Sequence, residues 1–309
     1  MTRKGFLLAA LLTPLLITGS VRAENTDLGG EDPVCCECPT SNWYVGLDIA
    51  VLKPHLGTLG AGFFGHPEVD VTPSFDFDVA PRVWLGWENA EGLGVRARYF
   101  TFDADATQTF AHPLPLGEIF GADVAVLGTG VQLEAQTFDF EATQRGCLGH
   151  LQFQLAGGFR YAKMETGVSA FGDAVVPGDP PTDIAWNGGI GMDFEGIGPT
   201  IAIDVRRPFG SRGLALVGSA RSSWMYGQTD FALTRDLEGF PVSVYADDHM
   251  MQINELSLGV EWSRCFERGG KVTVAALWEA QAWEWAPVAG LIHQDIGLTG
   301  PTFSFSYMR

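Results

Sequence analysis

The chain reads as an all-β protein, an antiparallel up-and-down transmembrane β-barrel of about 12 strands. Three observations lead there. Apolar and polar side chains alternate with a period of two along most of the chain. The segments between the alternating runs are by turns short and long, as in membrane barrels with short periplasmic turns and long outer loops. Finally, 39 glycines and 36 aromatic residues accompany only 19 basic residues among 309, a composition of strands and turns. The formal charge of −18 argues against nucleic acid as a partner, since phosphate binding needs an excess of Lys and Arg. Beyond the N-terminus no run approaches the ~18 apolar residues of a membrane helix.

Residues 1–23 have the order of a secretory signal peptide: basic Arg3 and Lys4, an apolar core from Phe6 to Ile17, and Val21-Arg22-Ala23 as a small-x-small cleavage site. Cleavage there leaves 16 basic and 37 acidic residues, and export delivers the chain to an oxidising compartment. Residues 24–42 form a periplasmic segment carrying Cys35, Cys36 and Cys38, and 43–309 form the barrel.

The first strand, 43–53, sets Trp43, Val45, Leu47, Ile49 and Val51 on one face and Tyr44, Gly46, Asp48 and Ala50 on the other. The second, 74–88, repeats this with Phe75, Phe77, Val79, Val83, Leu85 and Trp87 against Asp76, Asp78, Ala80, Arg82 and Trp84. The third, 92–103, sets Val95, Ala97 and Tyr99 against Arg96 and Arg98, and the pattern continues through 130–144 and 148–165. Seven further strands are expected at 184–194, 198–207, 213–224, 226–235, 251–263, 271–285 and 295–308. Short turns fall at 88–92, 145–147, 195–198 and 264–270, and Pro/Gly/Asp-rich loops at 54–73, 104–129, 166–183, 236–250 and 286–294. Trp43, Tyr44, Trp84, Trp87, Trp262, Trp283, Trp285 and Tyr307 lie near strand ends, where interfacial girdles are expected.

Several of these pieces resemble the Legionella major outer membrane protein family. They are Trp43-Tyr44-Val45-Gly46, Phe75-Asp76-Phe77-Asp78 leading into Arg82-Val83-Trp84-Leu85-Gly86-Trp87, Val95-Arg96-Ala97-Arg98-Tyr99, Phe138-Asp139-Phe140-Glu141, Gly158-Phe159-Arg160-Tyr161 and Asp295-Ile296-Gly297-Leu298-Thr299-Gly300. The similarity runs from about Trp43 to Tyr307 and consists of strand and turn patterns. It implies a pore-forming outer-membrane barrel. One departure is the end of the chain, where Met308 and Arg309 follow the last aromatic, Tyr307.

If the greasy faces meet lipid, the opposite faces point inward, and these carry Asp48, Asp76, Asp78, Arg82, Arg96, Arg98, Arg160, Asp193, Asp204, Arg206, Glu261 and Glu279 as candidate pore-lining groups. An unpaired buried charge costs several kcal/mol, so a water-filled lumen is the expected solvent for them. A closed barrel filled by Arg–carboxylate pairs is the competing arrangement. With ~4.8 Å between strands tilted ~40°, twelve strands give a backbone diameter of about 24 Å. The function expected is passive diffusion of small solutes or ions, against a non-conducting structural or adhesin barrel. Expected partners are outer-membrane lipid and those solutes, with homo-oligomers left open.

Cys147 and Cys265 fall in two short turns, on the same side as Cys35, Cys36 and Cys38, so periplasmic disulfides to that N-terminal cluster are candidates, against free or variably oxidised thiols. The two turns themselves lie nearly opposite each other, farther apart than the ~7 Å a disulfide spans. No hydrolase, P-loop, zincin or complete EF-hand motif occurs, so neither enzymatic activity nor a cofactor is expected.

Overall fold

The computed structural model describes residues 42–56, 73–119, 122–176, 182–210, 212–235, 242–266, 270–285 and 295–309. The expected signal peptide and the Cys35–Cys38 cluster lie outside them. The described chain is ten antiparallel strands: β1 (Asn42–Leu56), β2 (Asp78–Glu88), β3 (Leu93–Ile119), β4 (Ala122–Leu148), β5 (Leu151–Val176), β6 (Thr182–Phe209), β7 (Leu214–Arg235), β8 (Val242–Cys265), β9 (Lys271–Trp285) and β10 (Asp295–Met308). Each pairs with its neighbours in sequence, and β1 pairs with β10 to close the barrel. The closing ladder runs from Tyr44↔Met308 to Leu56↔Ile296, and the Arg309 amide donates to the Trp43 carbonyl at 2.9 Å. The chain therefore uses its last residues in closure although they are not aromatic.

Ten strands replace the twelve expected because two of the expected turns are strand interior. The segment 195–198 continues β6, with Glu195, Gly196, Ile197 and Gly198 opposite Lys163, Ala162, Tyr161 and Arg160. The glycine there serves close approach, not a turn: a Cβ on Gly198 would lie 1.8 Å from the Trp224 carbonyl oxygen. The ladder to β7 lapses between Ile197 and Thr200, where Pro199 lacks an N–H to give. Likewise 224–226 runs unbroken through β7.

The expected outer loops at 104–129, 166–183 and 236–250 are mostly strand as well. β3 and β4 pair as far as Ile119↔Ala122. Their prolines are accommodated by irregularities between Thr109 and Leu114 and between Pro115 and Gly117, the positions where a strand tolerates a missing donor.

Outward-facing residues mark the lipid band. Val45, Leu47, Val83, Leu85, Phe138, Phe140, Phe159, Ile201, Leu258, Phe303 and Phe305 are all exposed. On β4 the band runs from Gln144 to Glu134, about 25 Å at the usual rise and tilt. Its outer edge is a row of carboxylates in register across five strands, Asp103↔Glu134↔Glu165↔Asp193↔Asp230. Beyond this row β4 continues to Ala122, so β3–β8 form a wall above the lipid band, about 30 Å tall along β3–β6 and lower where β7 ends at Arg235 and β8 begins at Val242. Trp43, Trp87, Trp262 and Tyr307 face outward at the short-turn end. Tyr44, at 6% exposure, and Trp283, at 1%, are buried inside instead, and Trp84 also faces inward, so these three are not girdle residues.

Candidate functional site

The lumen is filled in layers. Nearest the outer end lies an apolar layer built from inward positions of most strands, including Leu52, Phe100, Phe102, Leu133, Met164, Phe194, Met225, Ile253, Trp283 and Leu298, with Phe75 folded in from the segment before β2. Each of these is at most 3% exposed. Period two puts them inside as it puts the lipid-facing set outside, so the chain builds apolar surface on both sides of one wall.

Beneath this layer lies a continuous ionic layer. On β1 and β2, Asp48 lies 3.5 Å from Arg82, and Arg82 forms a two-pronged pair with Glu279 of β9 at 2.5 and 3.1 Å. Thr302 of β10 donates to the same Glu279 at 2.9 Å. Glu255 of β8 is the hub: Arg160 of β5 lies 2.5 Å away, Arg98 of β3 3.5 Å, Arg82 3.9 Å and Arg221 of β7 4.0 Å. Asp139 of β4 binds Arg160 at 2.5 and 2.9 Å and lies within 3.6 Å of Arg98 and 3.5 Å of Arg221. Glu141 pairs with Arg221 and with Arg96, and Arg96 reaches Asp204 of β6 at 3.1 Å. Five arginines and six carboxylates thus form one network, and with Thr302 all ten strands contribute to it.

The network answers the cost of burying charge. Asp139, Glu141 and Arg160 are at most 1% exposed, and a lone ion there would cost several kcal/mol. Every arginine of the layer has two or more carboxylates within 4.0 Å, and three of the pairs, Arg82–Glu279, Arg160–Asp139 and Arg221–Glu141, are two-pronged, the strongest geometry for guanidinium and carboxylate. The two layers are joined where the Arg82 guanidinium lies 5.1 Å from the Phe100 ring centre, a cation–π contact.

Below the ionic layer the lumen opens into a vestibule of about 1260 Å³ at the short-turn end. Arg206 pairs there with Glu261 at 2.7 Å and donates to Gln152 at 3.1 Å and Ser263 at 3.0 Å. One wall is fixed by a reciprocal fit: Tyr44 faces Gly86 and Trp84 faces Gly46 across β1 and β2. A Cβ on Gly46 would lie 2.2 Å from the Trp84 ring, so the missing side chain is what lets the indole lie flat and donate to Asp48 at 3.4 Å. That fit accounts for the Trp-Tyr-Val-Gly and Val-Trp-Leu-Gly-Trp pattern in physical terms.

Of the expected pore-lining residues, Asp48, Arg82, Arg96, Arg98, Arg160, Asp204 and Glu279 meet in the ionic layer, and Arg206 and Glu261 in the vestibule. The other three join neither. Asp76 is exposed before β2 begins, and Asp78 is its first residue, half-buried at the strand's start. Asp193 faces outward in the carboxylate row because β6 is one strand through 195–198 and its alternation continues across that point. Asp139, Glu141, Arg221 and Glu255 join the layer without having been singled out by the sequence. Parity alone marks the first two, since Phe138 and Phe140 beside them face lipid. Among the described residues the charges pair with one another across the lumen, the competing arrangement, while Asp48, Arg82, Arg96, Arg98, Asp204 and Glu279 also line the top of the vestibule.

At the short-turn rim Cys147 is the last residue but one of β4 and Cys265 ends β8, and Cys265 is disulfide-bonded. Among the described residues no group of His, Cys, Asp and Glu has the spacing to hold a metal ion. His55 shares a hydrogen bond with Thr299 at 3.0 Å.

Comparison with known proteins places the geometry in context. The family described as Legionella pneumophila major outer membrane protein precursor matches residues 35–309. No curated protein matches. Among solved structures, the outer membrane protease OmpT of Escherichia coli is similar at 12% identity and a TM-score of 0.46, over 86% of this chain and 96% of that one. A major outer membrane protein of Thermus thermophilus is similar at 10% identity and 0.34, over 87% and 99%. The Pseudomonas putida toluene transporter TodX is similar at 9% and 0.29, over 87% and 89%. At these values the likenesses bear on neither activity nor solute.

Proposed function

The chain belongs to the Legionella major outer membrane protein family and is an outer-membrane β-barrel, and from that premise we propose that it is a porin-type barrel that rests shut. Small solutes or ions cross it only when the ionic layer and the apolar layer above it part. The observation that carries this reading is the ionic layer itself, to which all ten strands contribute and in which Asp139, Glu141 and Arg160 are at most 1% exposed. Ten strands at the usual spacing and tilt make a backbone diameter of about 20 Å. Arginine and glutamate side chains reaching in from opposite walls span that width.

The vestibule supports a channel over a solid strut. It carries a polar path from the short-turn end as far as the ionic layer, so that layer and the apolar one remain as the barrier. Purified protein in planar bilayers should show no stepwise current at low voltage, while Arg160→Ala, which removes the pair to both Asp139 and Glu255, should give discrete openings. Steady ohmic current through the unaltered protein would reject the resting closure. Silence of both proteins would reject the channel. It would leave a structural or adhesin-type barrel, a reading favoured by the wall of β3–β8 that rises beyond the lipid band.

A further inference from the structure

We infer that the short-turn end of the barrel, where the β6–β7 turn meets the end of β8, holds the headgroup of an anionic phospholipid from the leaflet on that side of the membrane. Charge on the outer surface of the wall is sorted by end. At the outer edge of the lipid band the outward row is carboxylate, Asp103, Glu134, Glu165, Asp193 and Asp230. At the short-turn end the exposed charged residues, among those described, are Arg145, Arg207, Arg212, Arg264 and Arg309 against Glu91 alone. A chain with 37 acidic residues and 19 basic thus turns a cationic rim toward one leaflet. Arg145 is satisfied by Glu88 at 2.8 Å, whereas no carboxylate among the described residues lies within 4.0 Å of the other four arginines.

Two of these arginines are brought together by the fold. The Ser263 amide donates to the Gly213 carbonyl at 2.9 Å, which fastens the β6–β7 turn to the end of β8. Arg212 and Arg264 each stand one residue from that bond, at the mouth of the vestibule. Gly213 permits the close approach: its φ is +76°, and a Cβ there would lie 2.2 Å from the Ser263 carbonyl oxygen. Like charges on adjacent backbone repel. A phosphate shared between them replaces that repulsion with two attractions, since guanidinium binds phosphate through parallel N–H donors. On the membrane side of the pair, Phe209, Leu214 and Trp262 lie in register across β6, β7 and β8 and are all exposed. This ledge is continuous with the lipid band. Arg264 lies two residues beyond Trp262 on the same face, about 5 Å closer to the aqueous side at the usual rise and tilt. An apolar ledge with a cationic pair at its aqueous edge fits an amphiphile, its chains on the ledge and its phosphate at the rim.

This inference stands whether or not the barrel conducts. Its test is native mass spectrometry of the refolded full chain in detergent, titrated with dioleoylphosphatidylglycerol and, separately, with dioleoylphosphatidylcholine. The two lipids share chains and phosphate and differ in net charge. A basic residue at an anionic surface contributes about fivefold, so the pair sets an expected preference for phosphatidylglycerol of about 25-fold. Arg212→Gln and Arg264→Gln should each lower that preference about fivefold, and the double variant should remove most of it. Lys53→Gln, near the outer end of β1, should leave it unchanged. If one single variant does not refold, the other decides. Equal retention of the two lipids overturns the site, and so does a preference unchanged in the single variants. Displacement of phosphatidylglycerol by an equal concentration of glycerol phosphate, which carries the anion without the chains, would assign the arginines to a soluble phosphate and overturn the lipid.

Discussion

Replacing Arg160 by methionine tests whether the ionic layer is dry. The substitution keeps most of the side-chain volume and removes a charge that lies 2.5 Å from Asp139 and 2.5 Å from Glu255 at 1% exposure. At about 4 Å between charge centres and an effective dielectric of about 20, each pair contributes about 4 kcal/mol of attraction. Much of that is offset by the desolvation of the guanidinium, which the variant no longer suffers. Two carboxylates also remain behind, still near Arg98 and Arg221 but short of one cation. Removing one partner from a buried pair typically costs about 3–5 kcal/mol, which raises the unfolded-to-folded ratio more than a hundredfold. In a water-filled lumen the same pair is worth only about 0–1 kcal/mol. The two cases differ enough to be separated by urea titration of the refolded protein in lipid vesicles, with the folded fraction read from its faster gel mobility when unheated. Arg207→Met, exposed at the rim, supplies the baseline. An Arg160→Met loss within about 1 kcal/mol of that baseline would refute the sealed lumen, because only solvated charges are removed so cheaply.

Other consequences follow from single contacts. Gly46→Ala places a methyl group 2.2 Å from the Trp84 ring, so the indole must leave its place and lose Asp48; the expected loss is about 1–3 kcal/mol, seen as a lower urea midpoint, and an unchanged midpoint would show that this wall yields freely. Because β4 and β8 lie on opposite sides of the mouth, Cys265 is proposed to bond to one of Cys35, Cys36 and Cys38, and non-reducing peptide mapping should recover that cross-link. Recovery of Cys265 as a free thiol would dismiss it.

Much of the wall was legible because its determinant is local. Whether Val83 meets lipid and Arg82 meets the lumen depends only on the alternation of neighbours along one strand, and that alternation is written in the residues. The positions misread are those where two local signals conflict. Gly196-Ile197-Gly198-Pro199 has turn composition, yet its glycines permit close backbone approach inside a strand; taking it for a turn broke β6 in two. The prolines between Thr109 and Gly117 have loop composition, yet the ladder skips past them and resumes. Glu255 was missed for another reason: its partners Arg82, Arg98, Arg160 and Arg221 are scattered across β2, β3, β5 and β7, and nothing near Glu255 in the chain announces them.

By itself the sequence determined the β-class, the closed up-and-down order and, for most of the charges, which side of the wall each occupies, since these follow from period two and from the order of the strands. Only the tertiary structure decided whether the charges would meet. The physical reason is the radius, a property of the whole ring that no single strand encodes. At twelve strands the wall would stand about 24 Å across and leave the side-chain tips separated by water, whereas at ten it narrows to about 20 Å, and the same arginines and carboxylates close on one another.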